Sequence, residues 1–218
     1  MSQLGLRRRL YPEFARVGSA LGSDKRLEIL DLLAQAPRHV DALASEMGLS
    51  TASTSQHLQV LRAAKLVEAA REGNRILYRL ADDGVLRLWL TLRSVAERNL
   101  PEVDRILREY GNAEDKQPVT RDELQTLLAK DALQLIDVRP RIEYESGHLP
   151  GALCFPLDEL TDRMDELERD RLVVTYCRGI YCLMSNDAEA LLQSNGFQVR
   201  RLDGGWPEWF DEGRPVAG

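Results

Sequence analysis

The sequence predicts two domains, a mainly helical one followed by an α/β domain with a parallel sheet. Apolar residues recur at helical spacing up to about residue 110, whereas short apolar runs alternate with helical segments after residue 119. The segment between them is rich in Gly, Asn, Pro and charged residues, which is typical of a linker. With 218 residues, the chain is long enough for two domains of about 100 residues each. We therefore place the first domain at residues 1–112, the linker at 113–118 and the second domain at 119–218.

The composition excludes several classes of protein. No run approaches the ~18 continuous apolar residues of a membrane helix, and no apolar stretch follows Arg7–Arg9, so we expect neither a spanning segment nor a signal peptide. Three cysteines are too few for a disulfide scaffold, which favours a reducing cytoplasm. Residues 1–112 carry 17 basic and 14 acidic side chains, whereas residues 113–218 carry 12 and 21. The two halves are therefore expected to have different partners, and the basic half could face nucleic acid.

The first half predicts a helix-turn-helix followed by a β-hairpin, which together make a winged helix. The predicted elements are helices from Asp24 to Leu33, from Val40 to Met47 and onward from a cap at Ser50 or Thr51, strands at 66–71 and 75–80, and a long helix at 82–110. The short connection Gly48–Ser50 is that of a helix-turn-helix, and Gly73-Asn74 turns the hairpin. The last helix is too long and apolar to pack on this small domain alone, so we expect it to help form a dimer.

Strands and helices alternate in the second half, which predicts a parallel sheet covered on both faces. The predicted strands are 133–138, 153–155, 172–176 and 198–201, and the predicted helices begin at Thr120 and span 160–167 and 182–193. Strand 172–176 is apolar along most of its length, so we expect it to be buried.

The helix that follows Ser50 has the composition of a recognition helix. Short polar side chains near the N-terminus of such a helix reach base edges in the major groove, and this helix offers Thr51, Ser53, Thr54, Ser55, Gln56 and His57. Arg71 and Arg75 flank the hairpin tip, where they would contact phosphates, with Arg62 or Lys65 as further candidates. The alternative is a solvated face on a purely structural helix.

The run GLSTASTSQHLQVLRAAKLVEAAREGNRILYRL at 48–80 resembles the ArsR/SmtB family of dimeric winged-helix repressors, and the resemblance covers about residues 10–105. It implies operator DNA and a second copy of the chain as partners, with the last helix at the dimer interface. The DNA-facing positions that it implies are Thr51, Ser55, Gln56 and Gln59. Where many members carry a metal-binding Cys-X-Cys, this chain has His39 and Asp41, and no cysteine precedes residue 154. A zinc site at these two residues is the weaker alternative to a surface role, and we expect no metal and no cofactor.

A second candidate site follows the apolar strand 172–176. The strand delivers Cys177 to its carboxyl end, where ligands bind in open α/β sheets, and a helix is expected to begin near Cys182. Backbone N–H groups of such a loop and the helix N-terminus favour an anion, and Arg178 adds positive charge, so the pKa of Cys177 is expected to be lowered. The alternative is an inert buried cysteine at the end of a strand.

The second half resembles the rhodanese homology domain over about residues 118–215. The matching runs are IDVRPRIEYESGHLPGA at 136–152, the Cys177 loop (Cys177–Cys182) and LDGGWPEW at 202–209. The resemblance implies that Cys177 accepts a sulfane sulfur as a persulfide from thiosulfate, polysulfide or another persulfide. It further implies that Asp137 and Arg139 brace the site and that His148 is architectural. The residues that would cradle the sulfur are Arg178, Gly179, Ile180, Tyr181 and Cys182.

The length of the Cys177 loop distinguishes two chemistries within this resemblance. Six-residue loops resemble those of sulfur-transferring members, whereas phosphatase relatives have one residue more and a closing Arg. Here the loop has six residues and closes with Cys182, which disfavours a phosphatase or arsenate reductase and also departs from the many rhodaneses that close with a basic residue. Cys182 could resolve a persulfide on Cys177 or could pack as a small apolar residue. Cys154 is expected in the core.

We therefore expect a cytoplasmic, dimeric transcriptional regulator, acting as a repressor, that binds operator double-stranded DNA and responds to reactive sulfur through persulfidation of Cys177. Because the first domain contains no thiol, the sulfur signal would have to enter through the second domain. Two alternatives stay open. One is an active sulfurtransferase tethered to DNA, and the other is a repressor that responds to arsenite bound at Cys177 and Cys182.

Overall fold

The computed structural model describes residues 3–110 and 117–218, and it divides into two compact units, Met1–Thr91 and Leu92–Gly218. The predicted linker at 113–118 lies mostly outside the described residues, so its position stays a prediction. The division between the units falls inside a helix, because residues 92–110 cluster with the second unit. Within the described ranges, no helix is long and apolar enough to span a bilayer.

The first unit is a winged helix-turn-helix, as the sequence predicts. Its elements are α1 (Gln3–Leu21), α2 (Asp24–Leu33), β1 (Arg38–His39), α3 (Val40–Glu46), α4 (Thr51–Ala63), β2 (Val67–Glu72), β3 (Arg75–Leu80) and the start of α5 (Asp83–Asn99). The strands form an antiparallel sheet in the order β1-β3-β2. The core contains Ile29 and Leu30 of α2 and Leu58 and Leu61 of α4, which recur at the spacing of one helix face. Helix α1 was not predicted, since an arginine run and Pro12 interrupt its apolar periodicity.

The single helix predicted at 82–110 is wrong, because the structure has two helices there. Helix α5 ends at Asn99 and α6 spans Pro101–Tyr110. A proline has no N–H for the helical hydrogen bond, and its ring disfavours the helical conformation in the residue before it. Leu100 is therefore the break, and Pro101 occupies the first position of the new helix, where its missing N–H costs nothing.

The second unit contains a parallel sheet with the strand order β5-β4-β6-β7. Its elements after α6 are α7 (Arg121–Ala129), β4 (Leu133–Asp137), α8 (Arg141–Ser146), β5 (Leu153–Cys154), α9 (Leu160–Arg163), a 3₁₀ turn (Met164–Glu166), β6 (Leu172–Tyr176), α10 (Met184–Ser194), β7 (Val199–Arg201) and α11 (Trp206–Asp211). Every residue of β4 is buried, as expected for a strand covered on both faces. The α/β prediction is confirmed, although α8 and α11 were missed because six residues are too few to show periodicity.

Candidate functional site

The Cys177 loop lies at the carboxyl end of the parallel sheet. Strand β6 ends at Tyr176, and α10 begins at Met184 rather than near Cys182, so Cys182 belongs to the loop and not to the helix. The nearest strand neighbour, β4, ends at Asp137, whose partner in the register is Tyr176. The loop is therefore placed where ligands bind in open α/β sheets.

The Gly-Gly-Trp sequence at 204–206, part of a run that resembles the rhodanese homology domain, packs directly beneath the Cys177 loop. A Cβ added at Gly205 would collide with the carbonyl oxygen of Cys177 and the backbone nitrogen of Gly179, so only glycine fits there. The Trp206 N–H donates to the Cys177 carbonyl at 3.2 Å. Gly179 has a φ of 131°, a conformation that side chains disfavour, and a Cβ there would lie 3.0 Å from a Glu208 carboxylate oxygen. The position of the loop is therefore fixed from below by backbone contacts.

Cys177 is the buried thiol of the loop, with 1% of its surface exposed. Its Sγ lies 3.5 Å from Ser185 Oγ, 3.6 Å from the Cys182 carbonyl oxygen and 3.9 Å from the Gly179 carbonyl oxygen. Burial raises the pKa of this thiol well above its usual range, and its hydrogen bond to Cys182 raises it further. The prediction of a lowered pKa at Cys177 is wrong, because burial and the neighbouring Cys182 outweigh the contacts with Ser185 and the Gly179 backbone, which lower the pKa.

Cys182 is the thiol that this loop favours as an anion. The Cys177 thiol hydrogen-bonds to it, which is the largest cause of a pKa lowered to about 7, and burial opposes that shift. The backbone N–H groups of Arg178 and Met184 also point to its sulfur, and Met184 is the first residue of α10. Backbone contacts from Arg178 and Met184 therefore favour the anion of Cys182, and one from Gly179 favours that of Cys177, while the predicted cradle for a bound sulfur stays a prediction.

Arg178 does not face solvent but forms an ion pair with Glu143 of α8. Its Nη2 lies 2.6 Å and its Nε 3.0 Å from Glu143 Oε1, and the Glu143 side chain is fully buried. Glu143 was not predicted as a site residue, although it lies in the run 136–152 that carries the rhodanese resemblance. The residues around Glu143 do not indicate that its partner is an arginine 35 positions away in the sequence.

Asp137 and Arg139 form an ion pair in which both side chains are fully buried. Arg139 Nη2 lies 2.6 Å from Asp137 Oδ2, and the same nitrogen donates to the Gly147 carbonyl oxygen at 2.8 Å. The guanidinium also lies over the rings of Tyr176 and Trp206, at 5.6 and 5.2 Å from their centroids. This geometry agrees with the predicted bracing role, since the pair joins the end of β4 to elements on either side of the loop. That role stays a prediction.

His148 is placed by contacts of an architectural kind. Its ring stacks on Tyr144 with 3.8 Å between centroids, Nδ1 lies 2.9 Å from the Tyr144 carbonyl oxygen, and its backbone pairs with Ala217.

Ile180 and Tyr181 are the exposed residues of the loop, and Tyr181 contacts the second half of α5. The Tyr181 hydroxyl donates to the Glu97 carboxylate, and Arg93 lies over the Tyr181 ring at 4.5 Å from its centroid. Burial, and next the hydrogen bond to Glu97, raise the pKa of Tyr181 to about 12. Arg93 is largely buried and also pairs with Glu208 at 3.0 Å, so these side chains connect α5, the Cys177 loop and α11. This connection was not predicted, because Arg93, Tyr181 and Glu208 are far apart in the sequence.

The predicted DNA-facing residues lie on the exposed surface of the first unit. Thr51, Gln56 and Gln59 of α4 are exposed and Ser55 is half-buried, and the Ser50 hydroxyl accepts from the Ser53 N–H to cap the helix. The wider set of polar candidates included Thr54, which is wrong. Its side chain is fully buried and donates to the Ser50 carbonyl oxygen at 3.1 Å.

Arg71 and Arg75 lie at either side of the hairpin tip, as predicted. Arg71 Nε donates to the Gly73 carbonyl oxygen at 3.0 Å, and Arg75 forms an exposed ion pair with Asp41 of α3. Exposed pairs of this kind contribute little to stability, so Arg75 can exchange Asp41 for a phosphate at low cost.

His39 and Asp41 do not form a metal centre with other ligands. His39 lies 3.2 Å from Glu72 and Asp41 pairs with Arg75. Across the described ranges there is no group of three or more His, Cys, Asp or Glu side chains that could hold a metal ion.

Both halves of the chain match protein families. Residues 23–69 match the model "Bacterial regulatory protein, arsR family" and residues 120–212 match "Rhodanese-like domain". Over 215 residues the chain is 44% identical to HTH-type transcriptional regulator Rv0324 of Mycobacterium tuberculosis, which covers 95% of this chain and 94% of that protein. The chain belongs to the ArsR-family transcriptional regulators that carry a rhodanese-like domain. This ArsR–rhodanese regulator therefore combines the two families that its residues resemble.

Each half of the ArsR–rhodanese regulator also has relatives of its own. The second half is 36% identical over 94 residues to a sulfurtransferase of Allochromatium vinosum, covering 43% of this chain and 86% of that protein. The first half is similar to the solution structure of the homodimeric winged helix-turn-helix DNA-binding domain (fragment 1–100) of Mb0332 from Mycobacterium bovis. The identity is 43% and the TM-score 0.43, with 46% of this chain and 91% of that chain covered.

Proposed function

We propose that this regulator binds operator double-stranded DNA as a homodimer and responds to reactive sulfur by persulfidation of Cys177. The observation that carries the proposal is the contact of the Cys177 loop with α5 through Tyr181. A chemical change in the loop therefore has a physical path to a helix that begins in the winged-helix unit.

Persulfidation would change the Cys177 loop through the volume of the added sulfur atom. Cys177 is buried among Gly179, Cys182 and Ser185, and Gly205 packs without a gap beneath its carbonyl. Protein interiors are close-packed, and an added heavy atom forces its neighbours to move. A second sulfur on Cys177 would therefore displace its neighbours in the loop, since the thiol is 1% exposed and lies within 3.5–3.9 Å of Ser185, Cys182 and Gly179.

Displacement of the loop would break contacts that Tyr181 makes with Glu97 and Arg93. Arg93 also holds Glu208, whose carboxylate accepts from the Gly205 N–H at 2.9 Å, so the same change reaches the glycine beneath the loop. A coupling free energy of about 1–3 kcal/mol would change the affinity for DNA about 5- to 150-fold. By linkage, bound DNA would oppose persulfidation to the same extent.

DNA binding is supported by the family of the first half and by the exposed polar side chains of α4. Dimer formation is supported by an apolar surface on α1. Its exposed large side chains are Leu4, Leu6, Leu10, Tyr11 and Phe14. Contiguous exposed apolar side chains of this kind mark an interaction surface, and a second copy of the chain is the partner that the family resemblance implies.

A second candidate function, sulfur transfer by turnover, is favoured by the match of residues in the second half to a sulfurtransferase. It predicts steady formation of thiocyanate from thiosulfate and cyanide. The regulatory proposal predicts instead a stoichiometric sulfur load that changes DNA affinity. Arsenite binding at Cys177 and Cys182 is a third outcome, and arsenite-dependent release of DNA without any sulfur donor would identify it.

A gel-shift titration with inorganic polysulfide tests the proposal. The wild type is expected to lose DNA affinity as polysulfide is added, whereas Cys177→Ser keeps the affinity of the unmodified protein. Cys154→Ser is the matched control, since Cys154 lies outside the loop at the end of β5, and it should respond as the wild type does. Equal responses of Cys177→Ser and the wild type would refute the proposal.

A further inference from the structure

The two thiols of the loop differ in their access to solvent. Cys177 has 1% of its surface exposed, and Gly205 and Trp206 pack against its backbone carbonyl. Cys182 is half-buried and follows two exposed residues, Ile180 and Tyr181. A sulfur donor that arrives from solvent therefore meets Cys182 before Cys177.

The contacts of the two thiols also favour the negative charge on Cys182. The interaction with the Cys177 thiol and the backbone N–H groups of Arg178 and Met184 lower the pKa of Cys182. The charged side chain near Cys182 is the Arg178 guanidinium, itself paired with Glu143. Cys177 is buried beside the Gly179 and Cys182 carbonyl oxygens, and burial outweighs the contacts with Ser185 and the Gly179 backbone that favour its anion. These contacts agree with a pKa of about 7 for Cys182 and a raised pKa for Cys177.

We propose that Cys182 is the nucleophile that first takes the sulfane sulfur from its donor, and that Cys177 then receives this sulfur from Cys182. The inference rests on the proposed function, which requires the sulfur to reach Cys177. It reverses the order expected from the rhodanese resemblance, in which the first cysteine of the loop meets the donor. The donor in this proposal is a small persulfide, R–S–SH.

The chemistry balances in two exchange steps. The Cys182 thiolate attacks the outer sulfur of R–S–SH, the donor S–S bond breaks, and R–S⁻ leaves with the electron pair while Cys182–S–SH forms. Cys177 then loses its proton to R–S⁻, and its thiolate attacks the outer sulfur of Cys182–S–SH. Cys177–S–SH forms and the Cys182 thiolate is regenerated. The products are Cys177–S–SH and R–SH, and no external oxidant or reductant is needed.

The expected rate difference follows from the fraction of thiolate. At pH 7, a thiol with a pKa of about 7 is about half ionised, whereas one with an ordinary pKa is ionised to a few per cent or less. Lower basicity makes the thiolate a weaker nucleophile, which offsets part of this gain. Because Cys177 is also buried, we expect removal of Cys182 to slow sulfur uptake at least about tenfold.

The test measures sulfur uptake by the full-length protein carrying Cys154→Ser, with glutathione persulfide as the donor. Mass spectrometry follows the addition of one sulfur atom, and peptide mapping after alkylation locates it. Adding Cys182→Ser is expected to slow uptake at least about tenfold. Adding Cys177→Ser should leave the sulfur on Cys182, since the thiol that would receive it is gone.

Iodoacetamide supplies a readout that a merely structural role would not change. Alkylation of Cys182 should precede that of Cys177, and its rate should rise with pH and reach half its maximum near pH 7, because the thiolate forms above the pKa. Thermal unfolding of both variants at the wild-type temperature would show that they are folded. If Cys182→Ser takes up sulfur on Cys177 as fast as the parent protein, the order proposed here is wrong while the proposed function stands. If the parent protein takes up no sulfur on either cysteine, the proposed function itself fails.

Discussion

Replacing Asp137 by Asn removes the negative charge from an ion pair whose two side chains are fully buried. In the wild type, Arg139 donates from Nη2 to Asp137 Oδ2 at 2.6 Å, from Nε to both carboxylate oxygens at 3.0 Å, and from its backbone N–H at 3.0 Å. The substitution keeps the size of the side chain and one acceptor oxygen. It leaves the Arg139 guanidinium charged and without an opposite charge from Asp137.

The expected loss of folding free energy follows from the burial of the ion pair. Removing one partner of a buried ion pair costs about 3–5 kcal/mol, because the remaining charge is still desolvated. We expect the lower part of this range for Asp137→Asn, since the Gly147 carbonyl oxygen and the Tyr176 and Trp206 rings still contact Arg139. For a domain of about 100 residues, 3 kcal/mol lowers the unfolding temperature by about 10–20 °C.

Differential scanning calorimetry of the full-length protein measures this change in the transition of the second unit. Asp165→Asn is the matched control, because Asp165 is 92% exposed and lies 3.4 Å from its partner Arg169. Exposed pairs contribute about 0–1 kcal/mol, so the control should unfold within a few degrees of the wild type. If Asp137→Asn unfolds at the same temperature as Asp165→Asn, the buried pair does not brace this unit and the reasoning is wrong.

Three further outcomes are expected. Gln56→Ala should reduce discrimination between operator and unrelated duplexes in fluorescence anisotropy. Arg75→Ala should weaken binding to both kinds of duplex and reduce the salt dependence of binding, because phosphate contacts carry no sequence information. Arg93→Leu should leave sulfur uptake intact but remove most of the DNA response in a gel shift, because α5 loses its cation–π contact with Tyr181 of the Cys177 loop and its ion pair with Glu208. Gly205→Ala should destabilise the second unit in calorimetry, because its Cβ would displace the loop, whereas Gly18→Ala, which meets no atom within 4 Å, should not.

Each of these outcomes has a result that would contradict it. Equal loss of discrimination in the Gln56 and Arg75 variants would mean that the two side chains do not divide base and phosphate contacts between them. An Arg93→Leu protein that takes up sulfur and still releases DNA would exclude the connection through α5. Wild-type stability of Gly205→Ala would mean that the loop is not supported from below.

Local signals in the sequence were sufficient for the winged helix and for the position of the reactive loop. A serine cap, a Gly-Asn turn and a helical apolar period act within a few residues, so Ser50, Gly73 and Leu58 indicate their elements without any tertiary context. The apolar run 172–176 likewise predicts a buried strand that ends at Cys177. The break at Leu100 was equally local, since Pro101 signals it, and it was overlooked.

Only the tertiary structure decided the chemistry of the thiols and the partners of the charged groups. Which cysteine is ionised depends on burial and on where each sulfur points. The sequence of the loop does not indicate the direction of either sulfur. Arg178 finds Glu143 across 35 positions and Arg93 finds Glu208 across 115, because chain folding and not sequence spacing brings them together. The sequence determined that Cys177 and Cys182 share one loop, and packing determined that the charge lies on Cys182 because the sulfur of Cys177 is turned into the core.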